Sequence, residues 1–306
     1  MMNAFGRFTI LTTIATYFLI FMGGLVRVSG AGLGCPDWPR CFGRWIPPLS
    51  IQQLPPDIDP ATFNLTLAWI EYINRFFGVT VGILILIVAI WALARYRSEM
   101  RILIPALLAA ILTAFQGWQG SHVVLSGLEP VIVSAHMVIA LIIAGLMIYL
   151  SVQTYYRDRR EKGEYANGAR LFAHLTIITA LVQIIIGTQL RERVETIFAE
   201  FPLISSTKVI FETGWLVHFH AFLGLIVVVF AIITAHRLIS RSPSSLIWQS
   251  GWTMVGLAIL QLIFGAILFL AGIPSIARLL HMWTSTMLFG AVLIAYIALG
   301  RERRIA

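Results

Sequence analysis

The sequence predicts an all-α integral membrane protein, with eight transmembrane helices forming two pseudo-two-fold-related four-helix bundles. Three observations lead there. Residues are 58% hydrophobic and only 12% charged, whereas a soluble domain carries roughly a quarter charged. Apolar stretches of about 20 residues, the length that crosses a hydrocarbon core, recur along the chain. The chain also repeats itself once, in halves of four spans each.

The spans are expected near 8–27, 67–93, 102–125, 131–153, 171–190, 215–235, 250–272 and 277–299. The first does not read as a cleaved signal peptide, because no small-residue cleavage site follows it. The net charge of +8 would suit nucleic acid, but its distribution excludes that class. Arg7, Arg95, Arg97, Arg101, Arg157, Arg159, Arg160, Lys162, Arg170, Arg237, Arg241, Arg301, Arg303 and Arg304 all fall at one set of span ends, 14 of the 22 basic residues. The positive-inside rule then puts both termini in the cytoplasm of a membrane protein that meets lipid and no nucleic acid.

The repeat fixes the domain organisation. "QGWQG" (116–120) and "QLIFG" (261–265) lie 145 residues apart, and so do His136 and His281. "NRFFG" from Asn74 matches "HAFLG" from His220 at 146. Arg27 and Arg191 each follow a glycine, Gly23 or Gly187, by four residues. The expected parts are an N-terminal half 1–154, a cytoplasmic linker 155–170 and a C-terminal half 171–306. Both halves share one orientation, because four spans is an even number.

The polar residues inside these spans carry the chemistry. His136, His220 and His281 each lie five or six residues inside a span, roughly 8–9 Å below the outer boundary at the rise of a helix. Asn74 falls in the same layer. His220 and His281 can face each other across a bundle, as axial heme ligation requires. The structural alternative is that each histidine is a hydrogen-bonded buried polar group, although intramembrane ionisable residues are functional candidates by default. His122 is another candidate ligand at the right depth. His218 falls on a different helix face from His220. Arg27, Arg75, Arg191 and Arg278 repeat in the outer layer, where they either snorkel to the interface or bind heme propionates. Glu71, three residues before Asn74 on one helix face, is a carboxyl placed to handle protons or a structural partner of Arg75 or another outer arginine. The two cysteines, Cys35 and Cys41, lie in the longest external loop, where a small disulfide ring is sterically possible.

With these residues assembled, the chain resembles the heme A synthase family over essentially its whole length. The resemblance rests on "GGLVRVSGAGLGCPDWPRCFG" after the first span, "EYINR" opening the second, and histidines at 136, 220 and 281. It implies oxidation of a heme O methyl group to a formyl group, giving heme A for terminal oxidases. It further implies a heme b held by His220 and His281 in the C-terminal half. Heme O would then bind in the N-terminal half, with His136 as ligand and Glu71 catalytic. The cysteine pair is similar to that of the bacterial class with cysteines in this loop, either stapling the loop or relaying electrons. A heme O synthase, oxidase assembly factors and an unidentified electron acceptor or donor are the implied partners, and a bacterial cytoplasmic (inner) membrane is the implied location.

One position departs from the family pattern: Asn74 stands where a histidine is usual. An N-terminal heme would then be five-coordinate through His136, with Asn74 near the open position, or would take His122 as second ligand. Two rival classes remain. An electron-transferring cytochrome b would hold hemes at two depths, whereas the candidate ligands here share one layer. A secondary transporter would gather its polar groups near the bilayer midplane.

Overall fold

The computed structural model describes residues 2–157, 168–240 and 245–302. The chain forms two compact units, Met1–Thr154 and Tyr155–Ala306. All eight expected spans are helices long and apolar enough to cross a membrane, so this is a multi-pass membrane protein. In the first unit they are α1 (Ala4–Val28), α2 (Leu65–Arg95), α3 (Met100–Leu125) and α4 (Pro130–Arg157). The second unit has α5 (Ala169–Glu200), a short α6 (Ser206–Glu212), α7 (Trp215–Ile239), α8 (Ser245–Leu270) and α9 (Ser275–Glu302). Of the expected linker, 158–167 lies outside the described residues; its first residues close α4 and its last open α5. Arg159, Arg160, Lys162, Arg241, Arg303 and Arg304 of the basic set also lie outside them.

Local chemistry sets the helix ends. Asn3 caps α1 by accepting from the Gly6 amide, and Asn64 caps α2 by accepting from Leu67, as short polar side chains do at an N-cap. α5 runs ten residues past the expected limit of 190. Its extension is amphipathic: Val194 and Ile197 pack on Val209 of α6, while Glu192 and Glu195 stay outside that cluster. Apolar packing therefore carries the helix beyond the point where its hydropathy falls.

The repeat is visible at the level of single hydrogen bonds. α3 and α4 join through Gly127 and Leu128, both at positive φ, with the Leu128 amide donating to Val123. α8 and α9 join through Gly272 and Ile273, also at positive φ, with the Ile273 amide donating to Leu268. Each element of this turn recurs after 145 residues. A leucine or isoleucine in the left-handed region is uncommon, so its recurrence marks the turn as a conserved part of the repeat within this chain.

In the first unit the apolar core occupies the end away from the long loop. Phe5, Ile85, Val88, Ala92, Tyr96, Ile102, Ala106, Met147 and Leu150 pack together there. The opposite half, under the loop, is where the polar residues collect. That loop seats on the start of α2: Cys35, Cys41, Phe42 and Ala68 form a small buried cluster with Tyr72 at its edge. Gly34 is required there, because a Cβ at that position would stand 2.4 Å from the Leu67 carbonyl oxygen.

Candidate functional site

The second unit brings His220 of α7 and His281 of α9 together. Their ring centroids are 6.4 Å apart with planes at 63°. Two imidazoles binding one metal ion from opposite sides at about 2 Å each have centroids roughly 6 Å apart. Both Nδ1 atoms are buried with no hydrogen-bond partner among the described residues, a rare condition for buried polar atoms. Among the described residues no group of three or more His, Cys, Asp or Glu gathers into a metal cage. The two rings are spaced to hold one ion from opposite sides.

Neighbouring helices hold these rings by two repeated devices. Gln261 of α8 donates from Nε2 to the His281 carbonyl (2.8 Å) and also to Thr284 Oγ1. Gln183 of α5 donates to the His220 carbonyl (2.9 Å) and lies 3.2 Å from His220 Nε2. A glycine then makes room for each ring. A Cβ at 265 would stand 3.6 Å from His281 Cε1, and one at 187 only 3.0 Å from His220 Cε1. The glutamines and glycines are functional-site residues that the sequence reading left without a role. Gln261, Gly187 and Gly265 stood in or beside the repeated motifs, so their recurrence was the available signal. Gln183 has no counterpart in the first half and gave none.

The first unit keeps half of this arrangement. Gln116 of α3 donates to the His136 carbonyl of α4 at 2.9 Å, 145 residues before its counterpart. A Cβ at Gly120 would stand 3.7 Å from His136 Cε1, and the His136 Nδ1 is also buried and unpartnered among the described residues. Asn74 of α2 faces Gly23 of α1, its Oδ1 4.0 Å from where a Cβ would be. His122 is not brought to His136. It is exposed, packs edge-on against Trp118 at 4.4 Å, and sits two residues from Gly120, on another face of α3.

Glu71 and Arg75 meet as a buried pair at 2.8 Å, their side chains 6% and 14% exposed. Arg75, one of the four arginines expected either to snorkel or to bind a propionate, reaches into the long loop. Cys35 and Cys41 form a disulfide, and Arg75 donates to three carbonyls of the chain it encloses. Nη1 reaches Asp37 (2.7 Å) and Arg40 (2.9 Å), and Nη2 reaches Cys35 (3.0 Å). Asp37 in turn accepts from the Phe42 and Gly43 amides. The other arginines stand about one turn from the histidine layer. Arg278 precedes His281 by three residues and donates to Ser275. Arg191 follows Gly187 by four, its Nε 3.2 Å from Glu195 Oε1 but not aligned as a hydrogen bond. Arg27 holds the matching place after Gly23 on α1.

Fold and site together define a multi-pass helical membrane protein whose second unit pairs two histidines from facing helices. A family model described as cytochrome oxidase assembly protein matches residues 6–293, and the chain belongs to that family. It is 26% identical to the heme A synthase of Bacillus licheniformis over 311 residues, covering 96% of both chains. The heme A synthase of Wolbachia pipientis is 24% identical over 92% of this chain and 89% of its own. That of Shewanella oneidensis is 34% identical over 49% of this chain and 45% of its own.

Proposed function

We infer that this chain is a heme A synthase, oxidising a methyl group of heme O to a formyl group, with water supplying the oxygen and the electrons and protons released passing to an acceptor outside the chain and to solvent. One observation carries the reading: a facing pair, His220 and His281, in a chain whose whole length matches relatives of that name. A heme b fits the second unit by the spacing of the two imidazoles and by their unpartnered ring nitrogens. Bound there, it would supply electron transfer that no side chain provides. His220 and His281 would ligate it from α7 and α9, while Arg191 and Arg278, a turn away, would pair with its propionates.

The first unit takes heme O. His136 is its ligand, held by Gln116 and Gly120, and Arg27 is the cation for its propionates. Glu71 holds or moves a proton at the site, with Arg75 as its counter-charge and Asn74 one turn further along α2. The long loop, pinned by Arg75 and the disulfide, covers this end of α2 and limits water there. Both termini face the cytoplasm and the loop faces outward.

The test is heme extraction from membranes supplied with heme O. Wild-type protein yields heme A, whereas Glu71→Gln retains heme and yields none, because the amide cannot take up a proton. Normal heme A in that variant would reduce Glu71 to an anchor for Arg75. A cytochrome b without heme-modifying activity would show heme bands but no heme A from the wild type.

The glycines provide a separate check on the ligand assignment. Gly187→Ala pushes the His220 ring and weakens low-spin heme binding by about 10–100-fold, the cost of losing a supporting partner at a metal site. Gly23→Ala, with ordinary contact distance to Asn74, leaves that signal unchanged. Heme titration monitored by absorbance compares them, and equal behaviour of the two variants would contradict the cradle.

A further inference from the structure

The two units differ at one helix pair in a concerted way. In the second unit the α5–α7 pair carries Gln183, Gly187 and His220: donor, cradle and ligand. With Gly23 aligned to Gly187, the α1–α2 pair carries Leu19, Gly23 and Asn74 in their places. Leu19 is partly buried against the apolar core of its unit and has no group to hold a ring. Asn74 is shorter than histidine, yet the glycine opposite it is kept, with 4.0 Å from a Cβ there to Asn74 Oδ1 against 3.0 Å at the His220 position. The α3–α4 pair is meanwhile complete, with Gln116, Gly120 and His136. Ligand and ligand holder are thus both replaced on one side of the site and both retained on the other.

We propose that a heme in the N-terminal unit has His136 as its one protein ligand, and that its iron is left open on the Asn74 side to a small neutral diatomic ligand. The proposal rests on the reading of this unit as a heme site. The Asn74 carboxamide offers N–H donors to the free end of such a ligand, and imidazole, the ligand type of the other three positions, is absent from this one. His122 does not compete, being exposed beside Trp118.

Carbon monoxide is the probe, added to dithionite-reduced full-length protein loaded with heme to saturation, with heme per chain measured as the pyridine hemochrome. In wild-type protein about half of the heme gives a carbon monoxide difference spectrum, while the bis-histidine half does not. Asn74→His, alone or with Leu19→Gln to supply the missing holder, loses that fraction and gains low-spin heme. Both variants are built from side chains that the second unit already accommodates. Wild-type protein holding both hemes but binding no carbon monoxide would overturn the proposal. So would an undiminished carbon monoxide fraction in both variants, or carbon monoxide binding that arises only in His122→Ala. Failure of the underlying reading looks different: His136→Ala would keep the same heme per chain as the wild type. That result would remove His136 as a ligand, and the proposal with it.

Discussion

His220→Ala removes the low-spin heme signature from the purified protein. The substitution deletes one of two facing imidazoles, so the loss of heme affinity exceeds the roughly 10–100-fold expected for a partner that only supports a ligand. Misfolding is separable from ligand loss, because Gln183 donates to the His220 main-chain carbonyl, which alanine retains. Thermal stability of the heme-free protein should therefore stay near that of heme-free wild type. Exogenous imidazole added to His220→Gly should restore a low-spin spectrum by refilling the space beside Gly187. An unchanged spectrum in His220→Ala would mean that the ligands lie elsewhere.

Arg75→Ala opens the long loop. The variant leaves the Glu71 carboxylate buried without its cation and three loop carbonyls without their donor. Breaking a buried pair from one side costs about 3–5 kcal/mol, here concentrated where the loop meets α2. Protease added from the loop side should cut between residues 29 and 64 in the variant and spare the wild type. Arg75→Lys should protect only partly, since an ammonium cannot match the fixed fork of a guanidinium. Wild-type protease resistance in Arg75→Ala would show that the disulfide and the Cys35–Phe42 cluster hold the loop unaided. Loss of heme O conversion in both Arg75 variants, with heme retained at His220 and His281, would tie loop closure to the activity.

The spans were legible because crossing a bilayer demands long apolar runs whatever else a helix does. The repeat was legible because its motifs keep constant offsets. The meeting of His220 with His281 followed from both. Other features left weaker traces. The far end of α5 reads as polar in "RERVETIFAE", and its helicity depends on α6, a short segment with no hydropathy signal of its own. Gln116, Gln183 and Gln261 act on backbone carbonyls, and a carbonyl acceptor carries no residue signature at the receiving end. The destination of Arg75 depended on the path of the loop: the same side chain at the same depth would serve a propionate if residues 35–40 ran elsewhere. The disulfide was sterically possible from spacing alone, and the seating of Cys35 over Ala68 shows what it holds in place.

The grip of Gln116 and Gln261 on main-chain atoms has an engineering consequence. The helix is registered through its carbonyl and cleared by the facing glycine, so the frame works as a socket and the histidine as an interchangeable plug. Methionine, lysine or tyrosine at 136 or 281 would be presented from the same backbone anchor. On the proposed heme reading, the side chain at either position can be exchanged while this backbone anchor stays in place, so a library of candidate ligands can be installed one position at a time.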